Sequence, residues 1–382
     1  MTAITSCAAG PDNIANRKMV VTGYADLVDR KYSESLVEAT KLQSAVNNFC
    51  EIPDSAKMEA AKKQWIEARK SYAQTEVFRF YDGPIDNGTT GVESLLNAWP
   101  LDEVYVDYVE GDQRSGIINN LKDYPEIKKE LLIGLNEKGG EENIATGFHA
   151  VEFLLWGQDL NNAGPGARPV NDYIDENRNA SRRKIYLQLT TDLIVENLKY
   201  LTQQWQPDKK DNYRYSFENA NANISLQKII TGIAILSKVE MAGERMFTAY
   251  DNANQEDEQS CFSDNTKADL VDDLQGILKV FYGNSYLKNS SSNGLVTIVV
   301  GENSLAGLLR STDSELFNET VTLLNKCITN LDNIYQPFDQ ALILEKEREK
   351  LYTAILSMQD LGDQFSRVAE KLGLTINVNA VS

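Results

Sequence analysis

Helical spacing of apolar residues runs through almost the whole chain and restricts its fold more than any other feature. One helical pattern starts at Pro53–Ser55 and continues to Tyr81, and equally long patterns cover about 175–204 and 338–372. Apolar residues at intervals of three and four lie on one side of a helix. Strand signal is nearly absent, and Leu295–Val300, the one stretch with β character, is either a short strand or a helix flank. The sequence therefore predicts an all-α protein.

The chain length and the distribution of the helices predict two domains. A chain of 382 residues has enough surface to bury in two cores. Each half contains about four substantial helices, and each has a helix that starts at a glycine, near Gly147 and Gly232. We expect two four-helix-bundle-like domains, from an internal duplication, with a cleft between them. The expected boundaries are a tail at 1–15, an N-terminal bundle at 16–206 and a C-terminal bundle at 207–382.

The charge balance argues against a nucleic-acid partner, and the hydropathy argues against a membrane-spanning helix. The formal net charge is −18, from 56 acidic and 38 basic residues. Such a field repels phosphate backbones, so we expect no nucleic-acid partner, whereas it favours cations. No run of apolar residues is long enough for a transmembrane helix, so we expect no membrane span.

The first residues resemble a processing site. Ile4–Cys7 has the small-residue pattern that bacterial signal peptidases cut before a lipidated cysteine. The three residues before it are too few for the charged and apolar regions of a signal peptide. The segment is therefore either the remnant of a lipoprotein signal, with a lipid anchor at Cys7, or a disordered tail. The cysteines are far apart and form no CxxC, so we expect neither a zinc knuckle nor a redox motif.

His149 is the only histidine in the chain, and this count excludes several kinds of catalytic site. The HExxH, HxxEH and three-histidine zinc sites each need two or more histidines. The sequence also contains no GxSxG elbow, no GxxxxGK[ST] loop and no GxGxxG that opens a helix after a strand. A hydrolase would have to be built around one imidazole with help from carboxylates, which is uncommon.

His149 lies in a predicted amphipathic helix from Ala145 to Trp156, three residues before Glu152. Residues three apart on a helix are neighbours, so the imidazole and the carboxylate can face the same point. A borderline divalent cation or an iron ion accepts such a nitrogen and oxygen pair. A hydrogen-bonded pair at the edge of a core is the more common reason for this spacing. A metal site therefore needs further oxygen donors from elsewhere in the chain.

A mixed aromatic and charged face precedes the His149 helix in sequence. On the predicted helix that ends at Tyr81, one narrow face carries residues at intervals of four, three, four and three: Trp65, Arg69, Tyr72, Glu76 and Arg79. Such a face suits a helix that lines a polar cleft. An arginine and glutamate network at a helix interface is the alternative interpretation.

The missing oxygen donors are available just after this face. Glu76 and the turn with Asp82 and Asp86 supply carboxylates, which with His149 give one nitrogen and three or four oxygens. Iron and manganese accept sites rich in oxygen, and zinc does so too. A site without thiolates suits the capture and release of iron better than permanent structural zinc.

Four blocks of the sequence resemble the imelysin-like family, which is classed by sequence among the metallopeptidases. Gly147–Glu152 (GFHAVE) fits the family's GxHxxE signature, and the residues of Trp65–Asp86 resemble its first conserved block. Glu240–Met246 and the segment EDEQSCFSDNT at 256–266 resemble blocks of its second half. The likeness spans about 16–373 and is greatest for the iron-regulated branch of the family.

The resemblance implies an all-helical protein of two bundles, exported to the bacterial cell envelope as a periplasmic protein or a lipoprotein and made under iron limitation. It implies that His149 and Glu152 are metal ligands, with Glu76 and Asp86 as the further ligands. Iron is the implied metal, with zinc or another divalent cation as the alternatives. The implied ligand-binding cleft consists of Trp65, Arg69, Tyr72, Arg79, Trp156, Glu240 and Glu244, with Arg69 and Arg79 orienting carboxylates.

The chain departs from the iron-regulated branch at two positions of the second half. Histidines are expected near 259 and 267, where this chain has Gln259 and Lys267. These two replacements argue against a metal role for this block.

Three functions fit these observations. The first is a metal-binding protein for iron acquisition that acts without catalysis, with a membrane iron-uptake component as its partner. The second is a metallopeptidase, in which Glu152 would be the general base; a glutamate that is also a metal ligand serves poorly in that role. The third is a binding protein for an organic ligand such as a siderophore or a sugar, held by the aromatic residues Trp65, Tyr72 and Trp156. If these aromatics instead filled a closed interior, their role would be structural.

Overall fold

The fold is all-α, as the helical spacing predicts. The structure is a computed structural model that describes residues 11–161, 163–283, 289–290, 296–297, 300–301 and 303–378. The predicted lipid anchor at Cys7 and most of the predicted tail lie outside these residues. Within the described part of the chain, no helix combines the length and the apolar character needed to cross a bilayer.

The helices vary from one turn to eleven turns in length. They are α1 (Pro11–Glu51), α2 (Ser55–Ala73), α3 (Glu93–Leu96), α4 (Glu103–Val106), α5 (Gly116–Asn119), α6 (Lys129–Leu135), α7 (Gly147–Trp156), α8 (Ala180–Trp205), α9 (Tyr213–Asn219), α10 (Ala222–Ile235), α11 (Thr248–Asn252), α12 (Thr266–Tyr282), α13 (Leu305–Thr312), α14 (Ser314–Asp332), α15 (Phe338–Ile343) and α16 (Glu345–Lys371). A π-helix, Leu236–Phe247, joins α10 to α11. The 3₁₀ turns are Glu76–Phe78, Val170–Tyr173, Glu176–Arg178 and Gln255–Asp257. Two short antiparallel strands, β1 (Asn289–Ser290) and β2 (Val296–Thr297), pair with each other.

The long helices form two sets of neighbours that also touch each other. Helix α1 packs along α2 and α8, and α7 fits between α2 and α8. In the second half, α16 packs against the π-helix, α10 and α14. Contacts of α1 with α10, and of α2 with α12, join the two sets. The division into two duplicated bundles with a boundary at 206/207 stays a prediction.

Helix α2 is shorter than its sequence pattern predicts. It begins as expected, because the Asp54 side chain accepts a hydrogen bond from the Lys57 backbone N–H at 2.8 Å. It ends at Ala73 instead of continuing to Tyr81. The Thr75 hydroxyl donates to the Tyr72 carbonyl at 2.7 Å, which offers that carbonyl a partner other than the next helical turn. As a result Glu76 lies on a 3₁₀ turn and Arg79 follows it in extended backbone.

Helix α7 is buried on every side, unlike the amphipathic helix predicted for 145–156. All ten of its residues are buried, and it begins at Gly147, two residues later than expected. Gly147 has a φ of +87°, which L-residues rarely adopt. A Cβ at this position would lie 2.6 Å from the Leu96 carbonyl oxygen. The glycine of the GxHxxE motif therefore lets α7 start in contact with the end of α3.

Two other predicted helices have different limits. The pattern at 175–204 becomes a 3₁₀ turn followed by α8, because Asn179 adopts a left-handed conformation before Ala180. The pattern at 338–372 is divided into α15 and α16 by Leu344, which has extended backbone. Leu295–Val300 contains β2, one of its two predicted alternatives.

Candidate functional site

His149 and Glu152 face each other inside the protein, as their spacing predicts. The imidazole Nδ1 lies 2.9 Å from the Glu152 Oε2 atom, and both side chains are buried. The other carboxylate oxygen of Glu152, Oε1, accepts hydrogen bonds from the backbone N–H and the hydroxyl of Ser263, at 3.0 and 2.6 Å. Glu152 therefore connects α7 to the segment that precedes α12.

The second imidazole nitrogen of His149 is a buried atom without a hydrogen bond. Nε2 has no partner among the described residues, and the side chain is 1% exposed. Burial lowers the pKa of His149 well below its usual value, and the charges of Arg69 and Arg245 lower it further. The ring is therefore neutral near pH 7. When Nδ1 carries the proton and donates it to Glu152, Nε2 presents a free electron pair.

Glu152 is harder to ionise than an ordinary glutamate. Burial raises its pKa to about 8, and the nearby charge of Asp269 also raises it. The hydrogen bonds from Ser263 and the charge of Arg69 oppose this rise. Glu152 is therefore mostly protonated near pH 7, and a positive charge placed next to it would favour the ionised form, to which Nδ1 can donate.

Glu76 is held by arginines and an asparagine. Its Oε2 atom lies 2.9 Å from the Arg79 Nη1 and 2.6 Å from the Arg245 Nη2. Its Oε1 atom accepts a hydrogen bond from the Asn97 amide at 3.2 Å. Burial alone would raise the pKa of Glu76, but the neighbouring guanidinium groups outweigh it and hold the pKa at about 2. Glu76 is thus an ionised carboxylate in a closed interior.

Two aspartates of α12 form ion pairs with buried arginines near Glu76 and His149. The Arg69 Nε donates to Asp269 at 3.0 Å, and the Arg245 Nη1 donates to Asp273 at 2.7 Å. Arg69 also donates to the side chain of Asn97. Three arginines (Arg69, Arg79 and Arg245) thus make ion pairs with five carboxylates: Glu76, Glu93, Glu240, Asp269 and Asp273. Carboxylates outnumber arginines in this network, which we call the arginine–carboxylate network.

Arg245, a member of the arginine–carboxylate network, lies on the π-helix. Arg245 is buried, whereas Glu240 is partly exposed and lies 3.5 Å from the Arg245 Nη2. Glu244, the other predicted cleft residue of this block, is exposed. Helix α10, which leads into the π-helix, packs closely on the turn that carries Glu76. A Cβ at Gly232 would lie 2.5 Å from the Val77 carbonyl oxygen, so a glycine is needed at this crossing.

Asp86 has a different environment from the other predicted ligands. Its carboxylate accepts backbone hydrogen bonds from Gly83 at 2.7 Å, from Tyr81 at 3.3 Å and from Phe80. These bonds close the turn at 80–86, in which Asp82 is exposed. The structure thus places the Asp86 carboxylate in the turn, and its hydrogen bonds are made there.

The predicted aromatic residues fill the interior. Trp65 donates from its indole N–H to the Phe148 carbonyl at 2.9 Å, and its ring lies edge-on to Trp156 with centroids 5.3 Å apart. Tyr72 packs against Phe148 at a centroid distance of 4.9 Å. Trp65 and Tyr72 are fully buried. Because the aromatic residues fill a closed interior, these contacts favour a structural role for them.

The predicted metal ligands do not form a compact set in this conformation. Among the described residues, the one group of three or more histidine, cysteine or acidic ligand atoms within 4.8 Å of one another is Asp159, Asp264 and Asp339. His149 and Glu152 are brought together as a pair, and Glu76 belongs to the adjoining arginine–carboxylate network. A set of four ligands that also includes Asp86 stays a prediction.

Sequence reasoning missed several side chains of the site. Ser263, Asp269, Asp273 and Asn97 were not predicted, although they contact Glu152, Arg69, Arg245 and Glu76. One signal was available for α12, where two aspartates four residues apart accompany the apolar positions Leu270 and Leu274. The two departures from the iron-regulated branch also have defined positions. Gln259 is buried, and Lys267 donates to the Asp332 carbonyl at 2.9 Å.

Comparison with known proteins gives consistent matches. The model of a protein family described as Imelysin matches residues 28–367. Iron-regulated protein A of Synechococcus elongatus is 24% identical over 291 residues, which cover 74% of this chain and 68% of that protein.

Two solved structures share the fold. A candidate iron-regulated protein A precursor from Parabacteroides distasonis has a TM-score of 0.74 at 19% identity, over 96% of this chain and 97% of that chain. An imelysin-like protein from Psychrobacter arcticum has a TM-score of 0.67 at 12% identity, over 95% and 98% of the two chains.

Proposed function

Because this chain belongs to the imelysin family, we propose that it is an exported metal-binding protein that acts in iron acquisition without catalysis. The names of its relatives, iron-regulated protein A and a precursor of that protein, support an iron-related role and export. We place it in the bacterial cell envelope, in the periplasm or lipid-anchored through Cys7. Its cargo is iron, with zinc or another divalent cation as the alternatives, and its partner is a membrane iron-uptake component.

The observation that carries this proposal is the state of the His149 ring. Histidines that bind metals usually donate their other ring N–H to a carboxylate, which fixes the tautomer and the ring orientation. Here Glu152 occupies that position at Nδ1, and Ser263 in turn holds Glu152. Nε2 is left buried and without a hydrogen bond to any residue that the structure describes. A neutral imidazole with a free Nε2 is the form that binds a metal.

The charges around this nitrogen act in opposite directions. Arg69 and Arg245 oppose a positive charge at the ring, whereas the carboxylates of the arginine–carboxylate network outnumber its arginines. In the closed state Glu152 orients the ring. Direct ligation by Glu152, Glu76 or Asp86 would require a cation to replace the hydrogen bonds that these carboxylates now accept. Oxygen-rich ligation of this kind suits iron.

Equilibrium dialysis of the wild type and His149→Ala against Fe(II), Fe(III), Zn(II) and Mn(II) tests the proposal. We expect His149→Ala to retain less metal, because it removes the only imidazole. Gln203→Ala, on an exposed position of α8, is the matched control and should retain as much metal as the wild type. Equal metal retention by all three proteins would overturn the proposal.

A metallopeptidase is the second candidate, and the contacts of Glu152 disfavour it. A general base needs a free oxygen within reach of the attacking water. Both oxygens of Glu152 are engaged by His149 and Ser263. Cleavage of an unfolded protein substrate, abolished by a chelator and by Glu152→Gln, would favour this candidate instead.

Binding of an organic ligand is the third candidate function, and it would use a cavity away from the His149–Glu152 pair. A cavity of about 450 Å³ is lined by Tyr108, Trp156 and Arg168 among others, and it is large enough for part of a siderophore or a sugar. Calorimetric titration with a ferric siderophore and with the siderophore free of iron would separate this function from the binding of the metal ion alone.

A further inference from the structure

Four acidic side chains from three separate parts of the chain meet beyond the end of α7. Asp159 follows that helix, Glu258 and Asp264 lie in the segment before α12, and Asp339 lies in α15. Ligand oxygens of the three aspartates are within 4.8 Å of one another. Glu258 is close enough to Asp339 and to the Thr266 hydroxyl to interact with both. We call these four residues the acidic cluster.

The acidic cluster is buried, and most of its oxygens lack partners. Glu258 is 2% exposed and Asp339 is 3% exposed, and no oxygen of either side chain makes a hydrogen bond of ordinary geometry with a described residue. One oxygen each of Asp159 and Asp264 is also buried without a partner. In the part of the chain that the structure describes, no lysine or arginine forms an ion pair with any of the four.

The four carboxylates can be ionised together only if a positive charge lies among them; otherwise they must share protons. A buried carboxylate without hydrogen bonds or a counter-charge is costly, and carboxylates this close repel one another when ionised. The unpartnered oxygens of Glu258 and Asp339 distinguish this cluster from the arginine–carboxylate network, where each carboxylate has an arginine partner.

We propose that the acidic cluster binds a divalent cation that prefers oxygen ligands, either Ca²⁺ or Mn²⁺. Hard cations are bound by carboxylate oxygens, and Ca²⁺ takes roughly six to eight oxygen ligands. Four carboxylates can supply this number when some bind through both oxygens. This site has no nitrogen donor and differs in its residues from the His149 site, so it does not rest on the proposed function.

A surface cavity gives the cation a route to the cluster. The cavity has a volume of about 360 Å³ and is lined by Asp159, Glu256 and Asp339 among other residues. A cation that enters this cavity comes next to two members of the cluster and must lose water to reach their unpartnered oxygens, which are buried.

The cation would also stabilise the segment that holds Glu152. Asp264 directly follows Ser263, whose backbone and hydroxyl both donate to Glu152. A cation that joins Asp264 and Glu258 to Asp159 and Asp339 fixes this segment between α7 and α15. We therefore assign the cluster a structural role next to the His149 site.

Calorimetric titration of the full chain, first freed of metal with a chelator, tests the site. Ca²⁺ and Mn²⁺ are titrated separately into the wild type, Asp339→Asn, His149→Ala and Asp360→Asn, the last being an exposed aspartate of α16. We expect one equivalent of at least one cation to bind the wild type. Asp339→Asn should bind it at least about tenfold more weakly, because it removes one charged ligand. Asp360→Asn should bind it as the wild type does, and His149→Ala should keep this one equivalent even where Mn²⁺ also binds at the His149 site of the wild type.

Three results would overturn the site. These are no saturable binding of either cation to the wild type, equal affinities of Asp339→Asn and Asp360→Asn, and no binding of either cation to His149→Ala. Equal affinities of Asp339→Asn and Asp360→Asn would mean that the cation is attracted diffusely to the net charge of −18 and has no defined site. Circular dichroism checks that Asp339→Asn is folded, and Asp264→Asn replaces it if it is not. The same cation should raise the melting temperature of the wild type more than that of the folded variant.

Discussion

Ser263 orients the Glu152 carboxylate, whereas local spacing only brings this carboxylate close to His149. His149 and Glu152 meet because they are three residues apart on α7. The orientation of the Glu152 carboxylate depends on two hydrogen bonds from Ser263, which is distant in sequence. A carboxylate that is itself held can hold the imidazole, so Ser263 acts on His149 through Glu152.

Replacement of Ser263 should therefore weaken metal binding without removing a ligand. Ser263→Ala loses the 2.6 Å bond to Glu152 but keeps the backbone one. We expect a roughly 10- to 100-fold loss of metal affinity, as is usual for residues that orient metal ligands. Competition with a fluorescent chelator measures it, and Ser216→Ala on an exposed position of α9 is the control. Unchanged affinity in Ser263→Ala would contradict this role.

Glu76 should contribute to the stability of the fold in a manner that depends on pH. Its pKa in the folded protein is about 2, below the usual value of 4.5, so its contribution is fully present above pH 4.5 and is lost as the pH falls toward 2. Glu76→Gln should lower the free energy of unfolding at pH 7 by about 3 kcal/mol, because it leaves buried arginines short of a partner. It should also flatten the dependence of stability on pH in that acidic range. Urea unfolding at several pH values measures both effects.

At the scale of the elements, close backbone crossings decide where the polar groups lie. Gly147 lets α7 begin against the end of α3, and Gly232 lets α10 approach the turn that carries Glu76. The π-helix then brings Arg245 to Glu76 and Asp273. π-Helical turns are rare and occur frequently at functional sites.

A methyl group at position 147 should destabilise the protein, whereas one at position 134 should not. Gly147 has a positive φ and would place a Cβ 2.6 Å from a backbone oxygen, while a Cβ at Gly134 in α6 would meet no atom within 4 Å. We expect Gly147→Ala to lose about 2 kcal/mol or more of folding free energy. Gly134→Ala should gain up to about 1 kcal/mol, since alanine favours the helix. Chemical denaturation of both variants measures the difference, and equal stabilities would contradict it.

At the scale of the whole molecule, the His149 site is closed. His149, Glu152, Arg69 and Arg245 are at most 1% exposed. The site lies where α7 and α2 meet α12 and the π-helix, so elements of both halves of the chain cover it. If the proposed function holds, an ion would reach Nε2 only after the protein opens.

The rate of metal uptake should consequently level off as the metal concentration rises. When opening precedes binding, its rate limits uptake at high concentration. Stopped-flow measurement of the intrinsic tryptophan fluorescence, with Trp65 and Trp156 near the site, follows the reaction. A rate that stays proportional to metal concentration up to millimolar values would show that the site is open in solution.

The helical periodicity and the spacing of His149 and Glu152 determined the all-α class and the close pair, because both depend on contacts within one helix. Local spacing could not predict that α2 ends at Ala73, because a threonine hydroxyl there competes for a backbone carbonyl. Local spacing also could not predict the contacts of Asp269 with Arg69, of Ser263 with Glu152, or among the four members of the acidic cluster. Arg69 and Asp269 are 200 residues apart, Glu152 and Ser263 are 111 apart, and the acidic cluster comes from three separate parts of the chain, so only the packing of the helices brings these groups together.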